Sequence, residues 1–202
     1  MKRPTQSAYN KLERATERKL VTATNRLAAG KIDVETWQDK IADILADKHA
    51  AAAALGRQRA GDFIERNKDD DVFGQVVATE EARYLGWFAD DISGGRYTLE
   101  DGTLNADRLN KRVANYSRKL LATANEGFVQ ASDAADTFDW HLGIPATENC
   151  NECPELAKGG PYTAATIPTY PRAGATKCLF RCDCSLVRQD GITGFLPPDG
   201  QV

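Results

Sequence analysis

Histidine is scarce in this 202-residue chain, which carries only His49 and His141, and cysteine is missing from its first 149 residues. A catalytic zinc site usually draws on a histidine-rich ligand set with one open position, so that chemistry has little to build on. No apolar run approaches the roughly 20 residues that a membrane-spanning helix needs. The opening Met-Lys-Arg-Pro-Thr-Gln-Ser lacks the apolar stretch of a secretory signal, so neither an oxidising compartment nor a disulfide framework is expected. No segment repeats at a period of about 20 to 50 residues, which argues against a solenoid. With 42% hydrophobic residues and a formal net charge of −3, the chain reads as globular, one or two domains long.

All five cysteines fall near the C-terminus: Cys150 and Cys153 form a Cys-x2-Cys pair, and Cys178, Cys182 and Cys184 follow. Two thiolates on one tight turn and two more on a second can close a tetrahedron around zinc at bonds of about 2.3 Å. Four of the five suffice, with Cys150, Cys153, Cys178 and Cys182 preferred and Cys184 as the substitute. His141 can replace one cysteine in such a set. Free or disulfide-bonded thiols are the bland alternative. A redox Cys-x-x-Cys would call for a thioredoxin-like βαβ context, which is missing around Asn149 to Pro154. From Thr147 onward the sequence is rich in Gly and Pro and poor in large apolar residues. A structural zinc, worth roughly 10 to 16 kcal/mol of apparent binding free energy, would therefore act as a folding staple.

Before the cysteines, apolar residues recur at helical steps. Tyr9, Leu12, Leu20, Ala23 and Leu27 predict a first helix over about 4–29, ended by Gly30. Asp33 caps a second, carrying Trp37, Ile41 and Leu45 and running to the Gly61–Asn67 region. His49 in its alanine-rich part reads as a surface or packing residue. Asp69-Asp70-Asp71 reads as a break, followed by a third helix that places Trp87 and Phe88, with Trp37, in the core. Tyr97 to Gly102 is a turn or short hairpin, and Asn105 caps a fourth helix reaching Phe128. The expected fold is mainly α: an N-terminal helical bundle with a long α-hairpin over 1–136, and a small irregular or β zinc-knuckle domain over 137–202. From Phe195 the chain reads as an extended tail.

Charge is segregated. Residues 1–28 carry +5, residues 69–107 carry −8 and residues 108–119 carry +5. Such runs are usually solvated faces that pair with one another. The sharper reading turns the basic first and fourth helices toward DNA, as a DNA-binding or packaging accessory protein would. A zinc hydrolase or transferase would instead need Glu148, Glu152 or Glu155 as a base beside an open metal position.

The stretch Trp140-His141-Leu142-Gly143, then Glu148-Asn149-Cys150-Asn151-Glu152-Cys153-Pro154, Pro161-Tyr162, Ile167-Pro168-Thr169-Tyr170-Pro171, Gly174-Ala175-Thr176-Lys177-Cys178 and Cys182-Asp183-Cys184 resembles the C-terminal region of tailed-phage minor head proteins. These are the head morphogenesis proteins similar to protein F of phage Mu and its siphophage relatives. In that family a Trp-containing strand precedes the Cys-x2-Cys pair and a Cys-x-Cys ends the domain. The ending there is often His-Pro-x-Cys-Arg-Cys, where this chain has Lys177-Cys178-Leu179-Phe180-Arg181-Cys182-Asp183-Cys184. The resemblance implies a non-enzymatic virion protein assembled in the host cytoplasm. Its implied partners are the portal or other head and connector proteins, further copies of itself in a ring or shell, and packaged DNA, with no membrane. Some larger relatives add an ADP-ribosyltransferase domain, but this chain has no Glu-x-Glu pair of the kind that activity uses.

Overall fold

The computed structural model describes residues 2–143 and 150–197. The fold is mainly helical, with helices α1 (Gln6–Ala28), α2 (Val34–Ala60), α3 (Lys68–Ser93), α4 (Ala106–Arg118), α5 (Leu120–Gln130) and α6 (Cys153–Gly159). Two short strands, β1 (Phe138–His141) and β2 (Ser185–Arg188), pair antiparallel. No helix among the described residues is long and apolar enough to cross a membrane.

Local chemistry sets the helix ends. Asp33 caps α2 by accepting the Thr36 N–H at 2.8 Å, and Gly61 ends it at φ 125°, a backbone that L side chains rarely adopt. The acidic run that reads as a break instead forms the first turn of α3. Asn67 accepts the Asp69 and Asp70 amides, and Asp70 accepts the Asn67 N–H at 2.9 Å, a capping box set where the helix dipole favours negative charge. Asp70 is also buried against Arg57, which reaches both of its oxygens, at 2.8 and 3.3 Å. The fourth predicted helix is two: α4 and α5 meet at Lys119, just after the Ser117 hydroxyl donates to the Ala114 carbonyl, a local bond of the kind that bends helices.

Helix α2 is the hub, packing against α1, α3 and α5, while α4 lies along α1. Trp37 is fully buried at the centre, its indole donating to Thr24 Oγ1 at 3.1 Å and meeting Phe88 edge-on at 5.2 Å. The small side chains of Ala52 and Ala53 let α5 approach closely, and a Cβ at Gly56 would strike the Ala124 carbonyl of that helix. Trp87 departs from expectation and is exposed. Adjacent helical residues are turned about 100° apart, so Phe88 and Trp87 cannot share one buried face.

His49 packs inside and is fully buried, with Nδ1 2.7 Å from Thr123 Oγ1 and Nε2 3.3 Å from Glu81. Lys119 lies 3.1 Å from the other Glu81 oxygen. Burial pushes the Glu81 carboxyl up, but His49 and Lys119 outweigh it and hold the group below the ordinary carboxylate range.

The C-terminal segment completes its core with helix residues. Phe138, Trp140, Leu186, Cys153, Cys182 and Cys184 form one apolar cluster with Ala60 of α2 and with Phe128 and Val129 of α5. The predicted tail begins as an anchor. Phe195 is fully buried and stacks on Tyr9 at 5.3 Å, while Asn125 accepts its N–H at 2.8 Å and donates to its carbonyl at 3.2 Å. Gln6 clasps the Leu196 backbone in the same reciprocal way. A Phe-Leu pair between Gly194 and Pro197 gives no periodicity from which this docking could be read. The tail residues from 198 onward lie outside the described residues.

Candidate metal centre

Three short elements bring the cysteines together. Cys150 precedes a turn that enters α6 at Cys153, with Pro154 in the first turn, where a missing N–H costs nothing. Cys178 and Cys182 flank a 3-10 turn over Leu179–Arg181, and Cys182 is extended. Cys184 directly precedes β2, and Cys182 and Cys184 are both buried.

The Sγ atoms of Cys150, Cys153 and Cys178 form a triangle with edges of 3.4, 3.5 and 3.6 Å, and Cys182 Sγ lies 3.9 Å from Cys153. Four sulfurs at about 2.3 Å from a tetrahedral ion stand about 3.8 Å apart, so these separations suit one. The five sulfurs make two triads, Cys150/Cys153/Cys178 and Cys153/Cys182/Cys184, each with all its sulfurs within 4.8 Å of one another. Cys153 belongs to both. The clustered cysteines could hold a metal ion, although no four of the sulfurs all lie within 4.8 Å of one another. All five are free cysteines, and separations near 3.5 Å are far from the roughly 2.04 Å of a disulfide.

His141 is in neither triad. Strand β1 alternates, turning Phe138 and Trp140 inward and Asp139 and His141 to solvent. Of the carboxylates considered as a base, Glu148 lies outside the described residues. Glu155 is exposed and pairs with Lys158 at 3.0 Å, and Glu152 accepts the Lys177 N–H at 2.7 Å, bracing one cysteine turn against the other.

The thiols divide by environment. Burial raises Cys150, but the Cys153 and Glu152 amides and the Cys153 and Cys178 thiols outweigh it and bring it down to about 7. Cys184 is lowered to about 6 by the Cys182 thiol first, then by the Gly143 amide and the Trp140 indole. Cys153 is pushed up by burial and its Cys150 contact, and Cys182 by its hydrogen bond to Cys184 and by burial. Cys150 and Cys184 are thus shifted toward the thiolate and Cys153 and Cys182 toward the protonated thiol. A divalent cation among them would favour further ionisation.

The supporting residues had no motif to announce them. Thr176 Oγ1 lies 3.1 Å from Cys178 Sγ. Arg172, buried and at φ 65°, donates from Nε to the Cys182 carbonyl at 3.0 Å and from Nη2 to Asp183 at 3.1 Å, while its Nη1 faces Glu13 of α1 at 3.9 Å. The guanidinium therefore ties the second cysteine turn to the helical body, as supporting residues around metal ligands commonly do.

No family model, curated protein or solved structure matches the chain.

Proposed function

We propose that the chain is a structural, non-enzymatic protein of a tailed-phage head, a minor head or head morphogenesis protein whose C-terminal unit is stiffened by one zinc ion. The convergence of five sulfurs from two distant turns is the observation that carries the zinc reading. An all-thiolate set favours zinc over harder cations, and four thiolates leave no open position for a substrate or water. Cys150, Cys153 and Cys178 are the first three ligands, and Cys182 or Cys184 is the fourth. The phage reading rests on the resemblance of the Trp140 strand, the Cys-x2-Cys pair and the Cys-x-Cys ending. Portal or connector proteins are the partners it implies, and the virion is the location. Quantitative mass spectrometry of purified particles is the test: a few copies per particle support the reading, and absence from the particle rejects it.

Charge favours a second reading, in which the chain touches DNA. The expected pairing of basic with acidic segments is sparse: Arg112 meets Asp91, and Lys119 meets Glu81. Lys11, Arg14, Arg18, Lys19 and Arg26 of α1 are exposed and form no ion pair among the described residues. A groove of about 730 Å³ between α1 and α4 adds Arg108, Lys111, Arg118 and Arg181. Phosphate-dominated binding to duplex DNA should be measurable at about 50 mM salt and fall steeply by about 200 mM. No binding at the lower salt would remove this reading.

A further inference from the structure

Helix α3 leaves one face largely exposed, with Tyr84 at its edge also lining a cavity beside Tyr116 of α4 and Phe180. Val72, Val76, Tyr84 and Trp87 are 64%, 52%, 48% and 54% exposed. At about 100° per residue, these four fall within one third of the helix circumference. Large apolar residues scattered singly on a surface need no explanation, but four on one helical face mark an interaction site. Arg83 lies across them, its guanidinium carbon 5.0 Å from the Tyr84 ring centre and 5.2 Å from that of Trp87. Tyr84 and Trp87 meet edge to face at 5.5 Å. Trp, Tyr and Arg are the residue types that dominate binding at protein interfaces. Beside Trp87, a Cβ at Gly86 would meet nothing within 4 Å. No close contact inside the chain requires that glycine, and it leaves the backbone there open to a neighbour.

We propose that a second copy of this chain occupies the face, the two α3 helices crossing antiparallel about a two-fold axis. A two-fold contact must be self-complementary, and this stripe is. One antiparallel register sets Glu80 of each copy opposite Arg83 of the other, and the same register sets Val76 opposite Trp87. One turn away, Val72 also comes within reach of Trp87. Glu80 and Arg83 form no ion pair within the chain among the described residues, and the Arg83 guanidinium, which donates from Nη2 to the Tyr84 hydroxyl at 3.1 Å, keeps other N–H groups for a carboxylate. Near the ends of the stripe, Asp71 is already paired with Arg66, and Asp91 with Arg96 and Arg112. Nucleic acid is disfavoured on this face, because α3 carries seven acidic residues against Lys68 and Arg83. The stripe from Val72 to Trp87 is about 22 Å long at the helical rise. That length suits a small, reversible interface. The proposal goes beyond the head-protein reading and depends on neither the metal nor the phage assignment.

Sedimentation equilibrium of the full chain, from about 1 µM to about 1 mM, tests it across the range where a small interface dissociates. A reversible monomer–dimer equilibrium is expected. Trp87→Ala, Glu80→Arg and Arg83→Glu should each weaken it by roughly tenfold or more, as loss of a central interface residue does. The double variant Glu80→Arg/Arg83→Glu restores both reciprocal pairs and should recover the dimer to within about threefold, the signature of coupled residues. All three residues are exposed, so thermal unfolding and far-UV circular dichroism of the monomer serve as controls for folding. A monomer throughout the range, a dimer indifferent to these substitutions, or a double variant no better than the singles would overturn the proposal. An indifferent dimer would place any self-contact on another face, and an unrescued double variant would refute the reciprocal Glu80–Arg83 pairing.

Discussion

The helical body and the C-terminal unit are ordered by different means. In the body, long helices bury continuous apolar stripes: Trp37, Ile41 and Leu45 of α2 meet Leu85, Phe88 and Ile92 of α3 and Leu20 and Leu27 of α1. Among the described residues, the C-terminal unit has two four-residue strands, a seven-residue helix and long irregular connections. Its order comes from side chains clamped onto backbone and from apolar surface lent by α2 and α5, in whose cluster the cysteines take part. A chain that cannot build a core of its own can still be fixed in place if something else holds its turns; borrowed surface does so here, and a metal ion among the sulfurs would add to it.

The contrast can be broken most severely at the seam between the regions. Phe195→Ala removes a fully buried ring from its stack on Tyr9, and should cost about 4 kcal/mol in chemical denaturation. A cost under about 1 kcal/mol, the level of an ordinary surface change, would mean the C-terminal segment is only draped on the body. Asp70→Ala acts within the body, stranding the largely buried Arg57 and opening the α3 cap. A loss of about 3 kcal/mol is expected, and equal stability in a urea titration would contradict the buried pair.

These two sites differ in how far the sequence foretold them. Period-three-and-four spacing disclosed the helices, and Asp33, Gly61 and Asn105 marked ends, because capping is local chemistry. The acidic run at 69–71 misled, since a triple Asp reads as solvated loop unless the capping role of Asn67 is noticed. Trp87 misled because α3 carries apolar residues on two faces, so that being in phase with Val72 and Val76 places it on the exposed one. At the cysteine cluster, the Cys-x2-Cys spacing announced sulfurs that the fold brings together, but their supports did not show. Arg172 is ten residues from the Cys182 carbonyl it holds and belongs to no motif, and Asn125 is seventy from Phe195. Long-range contacts between single polar residues leave no periodic trace in a sequence.

Acid should separate the regions further. The Glu81 carboxyl is held below its unfolded value of 4.5 by His49 and Lys119. Its contribution is therefore present above that value and fades as pH falls through the lower folded one. Melting of wild type, but to a lesser degree of Glu81→Gln, should shift downward as pH drops below about 4.5. Parallel shifts in the two proteins would deny Glu81 that role. The smallest effect belongs to a purely local device: Asp33→Ala removes one cap from α2 and should cost about 1 kcal/mol in thermal or urea unfolding. A loss much larger than that would tie Asp33 to more than its helix.

The most direct measurement pairs metal content with hydrogen exchange on the full chain before and after chelation. Close to one zinc per chain is expected, as a single tetrahedral site holds, with protection lost across 150–188 on its removal and retained in α1 to α5. Cys153→Ser, which takes away the sulfur common to both triads, should reproduce the chelated pattern. A metal-free protein whose cysteine turns exchange as slowly as before would contradict the metal staple outright.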